Sequence, residues 1–179
     1  THGGEMWGAV KRPEAEVAVS DQNWPSFRGS GARGSLPGFE TAEEWDVDSG
    51  EGIRWTTPIP GLAHSSPVIW ADRLFVTSAV RKGHDSELRV GLYGDIAPVE
   101  GEGVHAMQLF CLNKRTGEVL WETILGSQIT GYPVSYEAGG RQYVTVPVGG
   151  AAIFRMDNYA PELEAPIGSN MLVTFALPD

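Results

Sequence analysis

Leu112-Asn113-Lys114-Arg115-Thr116-Gly117-Glu118-Val119-Leu120-Trp121 is the stretch whose reading decides the fold. Phe110, Cys111 and Leu112 end one apolar strand. Asn113 to Gly117 carry turn chemistry, with Gly117 able to take positive φ. Val119 and Trp121 share one face of the returning strand by the two-residue period. The stretch therefore predicts a hairpin of strands 107–112 and 118–124.

Outward from this hairpin the same signals recur. Upstream, Ile53, Trp55 and Thr57 alternate as a strand over 53–58, before Pro58 to Gly61 break it. Apolar runs at 66–70 and 73–79 predict a hairpin about Ala71-Asp72. Downstream, 133–136 and 142–148 predict a hairpin about Gly139-Gly140, and 171–177 a last strand. Residues 30–50 read as loop with Trp45 as a packing anchor. Residues 81–104 and 149–169 read as long insertions. Residues 1–21 lack periodicity and read as a flexible arm, leaving 22–179 as one folded unit.

The strands repeat. Trp55 and Trp121 stand 66 residues apart, as do Pro67 and Pro133. Ile53 matches Val119, Thr57 matches Thr123, and Val68 matches Val134. Phe75-Val76-Thr77 matches Tyr143-Val144-Thr145 after a two-residue lengthening, and Phe110-Cys111-Leu112 matches Phe175-Ala176-Leu177. The reading is all-β: about two four-stranded antiparallel units, circularly offset. The 53–58 strand lacks a sheet of its own, and the last sheet lacks a fourth strand.

Composition agrees and excludes some functions. Hydrophobic residues make up 41%, enough for a core, and 23 Gly with 12 Pro suit many turns. A net charge of −10 disfavours nucleic acid and anionic membrane surfaces. No run approaches the roughly 20 apolar residues of a membrane-spanning helix. Thr1-His2-Gly3-Gly4 does not read as a secretory signal but as a processed end. The single cysteine, Cys111, lies in an apolar strand and reads as a buried, inert thiol.

The decisive stretch resembles the Asp-x-x-Thr-Gly-x-x-x-Trp signature of the pyrroloquinoline-quinone (PQQ)-type β-propeller repeat, with Asn113 in the Asp position. Asn23-Trp24-Pro25-Ser26-Phe27-Arg28-Gly29 resembles the segment preceding the first blade in exported PQQ-like propellers. Gly140-Arg141-Gln142-Tyr143-Val144, Gly149-Gly150 and Phe175-Ala176-Leu177-Pro178 resemble the closing blade of PQQ-dependent alcohol dehydrogenases. The resemblance implies blades of a propeller, with Trp55, Pro67, Thr116, Gly117, Trp121 and Pro133 as its structural signature. It also implies a signature Trp between neighbouring blades, Trp24 and Phe27 over exposed apolar surface, and a periplasmic or otherwise exported location.

Chemistry is sparser. His64-Ser65-Ser66, on the loop entering an innermost strand, is the most reactive-looking trio, but no carboxylate is placed to orient the His. With Gly149 and Gly150 it forms a candidate ligand-binding rim; polar or turn roles explain the same residues. His2, His64, His84 and His105 lack metal-ligand spacing. His84 with Asp85, and Asp157 with Asn158, are loop oxygens that a calcium ion could use, and equally solvated loops. No catalytic residue or metal ligand is assigned.

Two functions follow. One is a non-enzymatic scaffold with no cofactor, whose partners are copies of itself and possibly other proteins. The other is a PQQ- and calcium-dependent dehydrogenase whose site forms only on oligomerisation, or a shortened remnant of one. Two blades leave apolar sheet faces uncovered. The expected remedy is a cyclic homo-oligomer, four copies giving eight blades and three giving six, with 53–58 exchanged onto the last strand of the next copy. The competing arrangement is a monomer with 53–58 folded back beside 171–177, the two sheets packed as a sandwich and the Trp24–Phe27 arm over them.

Overall fold

The computed structural model describes residues 23–38, 42–62, 65–81, 105–149 and 170–177. The arm 1–21, His64, Gly150, Pro178 and most of both long insertions lie outside the described residues.

Among the described residues, seven strands form two antiparallel sheets. β1 (Val68–Trp70), β2 (Arg73–Arg81), β3 (His105–Asn113) and β4 (Val119–Leu125) lie in that order in the first. β5 (Val134–Ala138), β6 (Arg141–Val148) and β7 (Met171–Ala176) make the second. The helical content of the described residues is a 3-10 turn at Ser30–Ala32. Inner strands β1 and β5 lie against each other. The architecture is that of partial propeller blades, and strand order and hairpin partners are those the sequence predicts.

Turn chemistry fixes the register. In the β3–β4 turn, Asn113 Oδ1 accepts from the backbone N–H of Arg115 (2.8 Å) and Thr116 (3.2 Å). Asn thus caps the turn as Asp would. Gly117 sits at φ 74 and donates to the Asn113 carbonyl at 2.8 Å. Gly139 and Gly140 both hold positive φ, as a two-residue hairpin turn of this hand requires. Ala71 also takes positive φ, and its N–H is held by Asn23 Oδ1 at 2.8 Å.

The core lies between the sheets. Val68, Phe75 and Cys111 line the inner side of the first sheet; Val144, Val146 and Val148 line the facing side of the second. Each is buried, and each such side chain contributes about 1.5–3 kcal/mol of transfer free energy. Trp121 reaches across, its ring 6.2 Å from Phe75 of its own sheet and 6.0 Å from Phe175 of the other. A signature Trp between sheets is what the resemblance implies.

The Trp24 segment clasps the inner edges rather than covering a face. Trp24 pairs with Ile69 through both backbone groups, and the Pro25 carbonyl accepts from Ser135 of β5 at 2.8 Å. One short segment therefore ties both inner strands. Phe27 stacks on Tyr132, rings 4.5 Å apart.

Three expectations are corrected. Residues 53–58 are extended but form no strand: among the described residues no strand pairs with them, and the Arg54, Trp55 and Thr57 side chains bond carbonyls of the β3–β4 turn. They do not lie beside β7, although the two sheets do pack face to face. Trp45 is 67% exposed and anchors nothing. Trp55 and Trp121 are both half-buried, Trp55 on a connecting segment and Trp121 at the outer margin of the first sheet.

Replacing Trp121 by Ala should destabilise the chain by about 3 kcal/mol, the low end for a core aromatic. Phe175→Ala in the same background should cost less than it does alone, by about 1 kcal/mol of ring–ring coupling. Urea unfolding of the two single variants and the double variant measures both quantities.

Candidate functional site

The rim residues have structural partners. Ser65 Oγ accepts from the Thr77 N–H at 3.0 Å, replacing a missing strand neighbour between two backbone pairings. On one side of it Val68 pairs with Phe75, and on the other Leu62 bridges Ala79. Ser66 follows in the same half-buried approach to β1. Gly149 is buried and donates to the Gln128 carbonyl at 2.8 Å. A Cβ there would strike Asn170. Pro67 is exposed, whereas its counterpart Pro133 is fully buried beside the clasp. The described members of the rim are thus spent on the crossings that lead into each sheet.

The most specific geometry centres on Trp55. Its indole Nε1–H donates to the Lys114 carbonyl at 3.0 Å, within the decisive stretch. Its ring lies against Gly117, where a Cβ would come within 2.5 Å of it. Thr57 Oγ1 donates to the Gly117 carbonyl at 2.6 Å, and Arg54 Nε to that of Arg115 at 3.1 Å. Thr116 Oγ1 accepts from the Glu118 N–H at 3.3 Å, keeping the turn closed. Further on, the Pro60 carbonyl accepts from Ser78 Oγ at 2.5 Å. Ser78 alternates with Thr77, so 53–60 runs over the side of the first sheet that faces away from the second. Sequence patterning marked Trp55 and Gly117 as repeat positions; that they meet each other had no signal in one chain.

Trp55 and Trp121, matched in sequence, each reach beyond their own segment. Trp121 leaves its strand to meet Phe175 on the next sheet. Trp55 meets the turn of the sheet that carries Phe110, the counterpart of Phe175. The crossings match too: Leu62 bridges Ala79 at the end of β2, and Ile129 bridges Val148 at the end of β6.

Cys111 is buried beside Phe75 and Trp121. Burial pushes its thiol up to about 11, only partly offset by the positive charge of Arg73. It is no nucleophile at neutral pH.

Calcium takes about six to eight oxygen ligands. Among the described residues no three His, Cys, Asp or Glu gather at one point. Glu118, Glu122 and Glu137 are exposed on separate strands or turns, and Asp72 pairs with Arg115 at 2.9 Å. Trp55 rests on Gly117 and Trp121 meets Phe75 and Phe175 at tilted angles. Among the described residues, no helix is long and apolar enough to cross a membrane.

Gly117→Ala should lower stability by about 1–3 kcal/mol, from the left-handed backbone and the displaced indole together. It should also abolish the hydrogen-exchange protection of the Trp55 indole N–H, which nuclear magnetic resonance reads directly. Cys111 should resist thiol reagents in the folded chain below about pH 9 and react fully in denaturant. Because its folded pKa is raised, its contribution to stability is complete below the unfolded thiol value. It is lost as pH rises towards 11. Urea midpoints of the protein and of Cys111→Ala, compared across pH 8 to 11, test that window.

No family model matches the chain. A quinohaemoprotein alcohol dehydrogenase of Comamonas testosteroni is 34% identical over 163 residues, which is 89% of this chain and 22% of the relative. A 1-butanol dehydrogenase (cytochrome c) of Thauera butanivorans is 31% identical over 97 residues, 54% of this chain and 14% of the relative. A quinoprotein alcohol dehydrogenase of Pseudomonas putida is 25% identical over 209 aligned positions, 96% of this chain and 35% of the relative. The chain spans between 14% and 35% of the length of these relatives. Two β-sheets of propeller type, an indole docked on a Thr-Gly turn and these matches together support a relationship to the quinoprotein alcohol dehydrogenases.

Proposed function

We propose that this chain is a blade-forming module of the quinoprotein-dehydrogenase type, whose own work is packing and assembly rather than catalysis. The observation that carries this is the use of its most distinctive side chains. Trp55, Gly117, Trp121 and Ser135 all serve contacts between sheets, or between a sheet and a connecting segment. The PQQ–calcium site expected for this type of enzyme needs oxygens and a ring wall that the described residues do not bring together. A fold does not carry activity by itself. The position of the second sheet as a closing blade, and an exported location, belong to the same proposal.

A second reading is favoured by the activities of the relatives, which are dehydrogenases of alcohols. In it, the chain contributes two blades to an oxidoreductase whose site is completed by further blades. Both readings predict that the isolated chain is inactive, and they part when further blades are present.

The chain, incubated with PQQ and calcium, should show no stoichiometric change in the quinone absorbance. It should reduce no artificial electron acceptor with primary alcohols or glycerol. Calcium-dependent turnover by the assembled chain would move the oxidoreductase reading ahead of the scaffold.

A further inference from the structure

We propose that residues 23–29 form a releasable latch, which opens from the inner strands of both sheets in one step and so sets whether the sheets move as one body. The inference concerns the chain's own conformations and stands apart from the redox reading.

Backbone donors in both sheets find their partners in this one segment. Asn23 Oδ1 accepts from the Ala71 N–H at 2.8 Å, at the β1–β2 turn. The Trp24 carbonyl accepts from the Ile69 N–H at 2.9 Å, and the Trp24 N–H donates to the Ile69 carbonyl at 2.8 Å. The Pro25 carbonyl then accepts from the Ser135 N–H of β5 at 2.8 Å. Consecutive residues thus reach from one sheet to the other. The sequence suits that crossing. Pro25 brings no N–H into the gap between strands, and Trp24 before it is biased towards extended backbone.

The segment is locked on each side. Gly29 is buried at φ 70, and a Cβ there would come within 2.7 Å of the Trp24 ring. The turn that the Gly29 N–H closes onto the Ser26 carbonyl at 2.8 Å therefore holds the indole. On the β5 side Phe27 stacks on Tyr132, next to buried Pro133.

At Ser135 the latch meets a side-chain crossing between the sheets. Arg73 Nη1 of β2 donates to Gln142 Oε1 of β6 at 2.9 Å. Gln142 Nε2 donates to Ser135 Oγ at 3.0 Å, and that hydroxyl donates to the Tyr143 carbonyl at 3.0 Å. Ser135 is buried, so losing the Pro25 carbonyl alone would leave its N–H unpaired away from water. The Pro25 bond therefore holds while the Asn23 and Trp24 bonds hold, and all of them break together. Residues 23–29 contribute nothing to the apolar cluster between the sheets. The latch can leave while each sheet keeps its ladders, and such local openings cost less than global unfolding.

Amide hydrogen exchange on the chain tests this. The Ile69 and Ser135 N–H groups, in different sheets, should have protection factors equal within about threefold after correction for intrinsic rates, with the same urea dependence. Both should lie at least about tenfold below the amides bonded within the β2–β3 ladder. Asn23→Ala removes a bond to the first sheet only. It should speed exchange at both Ile69 and Ser135 by one common factor of about two to ten, with an unchanged circular dichroism spectrum. Phe27→Ala acts from the β5 side and should also speed both amides equally. An Asn23→Ala chain that exchanges faster at Ile69 but not at Ser135 would overturn the proposal, as would a Phe27→Ala chain faster at Ser135 alone. Protection of the two amides equal to that of the ladder would also overturn it, because the segment would then release only when the whole chain unfolds.

Discussion

Trp121 leaves the margin of the first sheet and rests 6.0 Å from Phe175 on the second. A twisted antiparallel sheet of short strands has two faces, and here both are apolar. Such a sheet is stable only if each face meets another surface. The side-chain layer between the sheets meets that need once, with Phe75, Cys111 and Val68 set against Val144, Val146 and Val148. The indole locks the margin of that layer, where the strands diverge and aliphatic chains no longer reach. The far side of the first sheet is met differently, by an extended segment whose own indole rests on Gly117. Gly117 is therefore constrained twice: by the left-handed turn, and by the ring that occupies the space of a side chain.

The strands and their order were legible because two independent local signals agree. Alternation marks Phe75, Thr77 and Cys111 for one face, and turn residues mark where each strand ends. Asn113 with Gly117, Ala71-Asp72 and Gly139-Gly140 each leave the chain one compatible turn. Local preference and global packing point the same way, as they do in a sequence that folds to one state. Burial at the margins was less legible. Trp121 ends the row of Val68, Phe75 and Cys111 and is half-buried, because a residue at the end of a row lacks a neighbour beyond it.

Residues 53–58 show where local reading fails. Ile53, Trp55 and Thr57 alternate as a strand does, but a strand exists only where a neighbour presents a free ladder. Here the near backbone groups are the carbonyls of a turn, at Lys114, Arg115 and Gly117. The pattern is that of a strand, but among the described residues no strand pairs with it. The Trp24 clasp was hidden for a related reason. Its bonds to Ile69 and Ser135 join residues far apart in the chain, and backbone pairing of that kind leaves no side-chain pattern. Trp45 misled because a lone aromatic in a loop carries no period that would assign it a face.

The candidate site was least legible, and the physical reason lies in how a repeat is built. A repeating unit must reserve its largest and most constrained residues for contact with its neighbours, so the residues that stand out in sequence are the packing ones. Ser65 is an instance. Beside a histidine in sequence it suggested chemistry, but its hydroxyl stands in for a strand neighbour by accepting the Thr77 N–H. Moving that oxygen onto a ligand would leave a backbone donor unpaired where β1 has not yet begun, a cost of about 1–3 kcal/mol. Gly149 is held in the same way, by Gln128 on one side and the space taken by Asn170 on the other. A binding function for the described part of the rim would have to displace bonds on which the entry into each sheet depends.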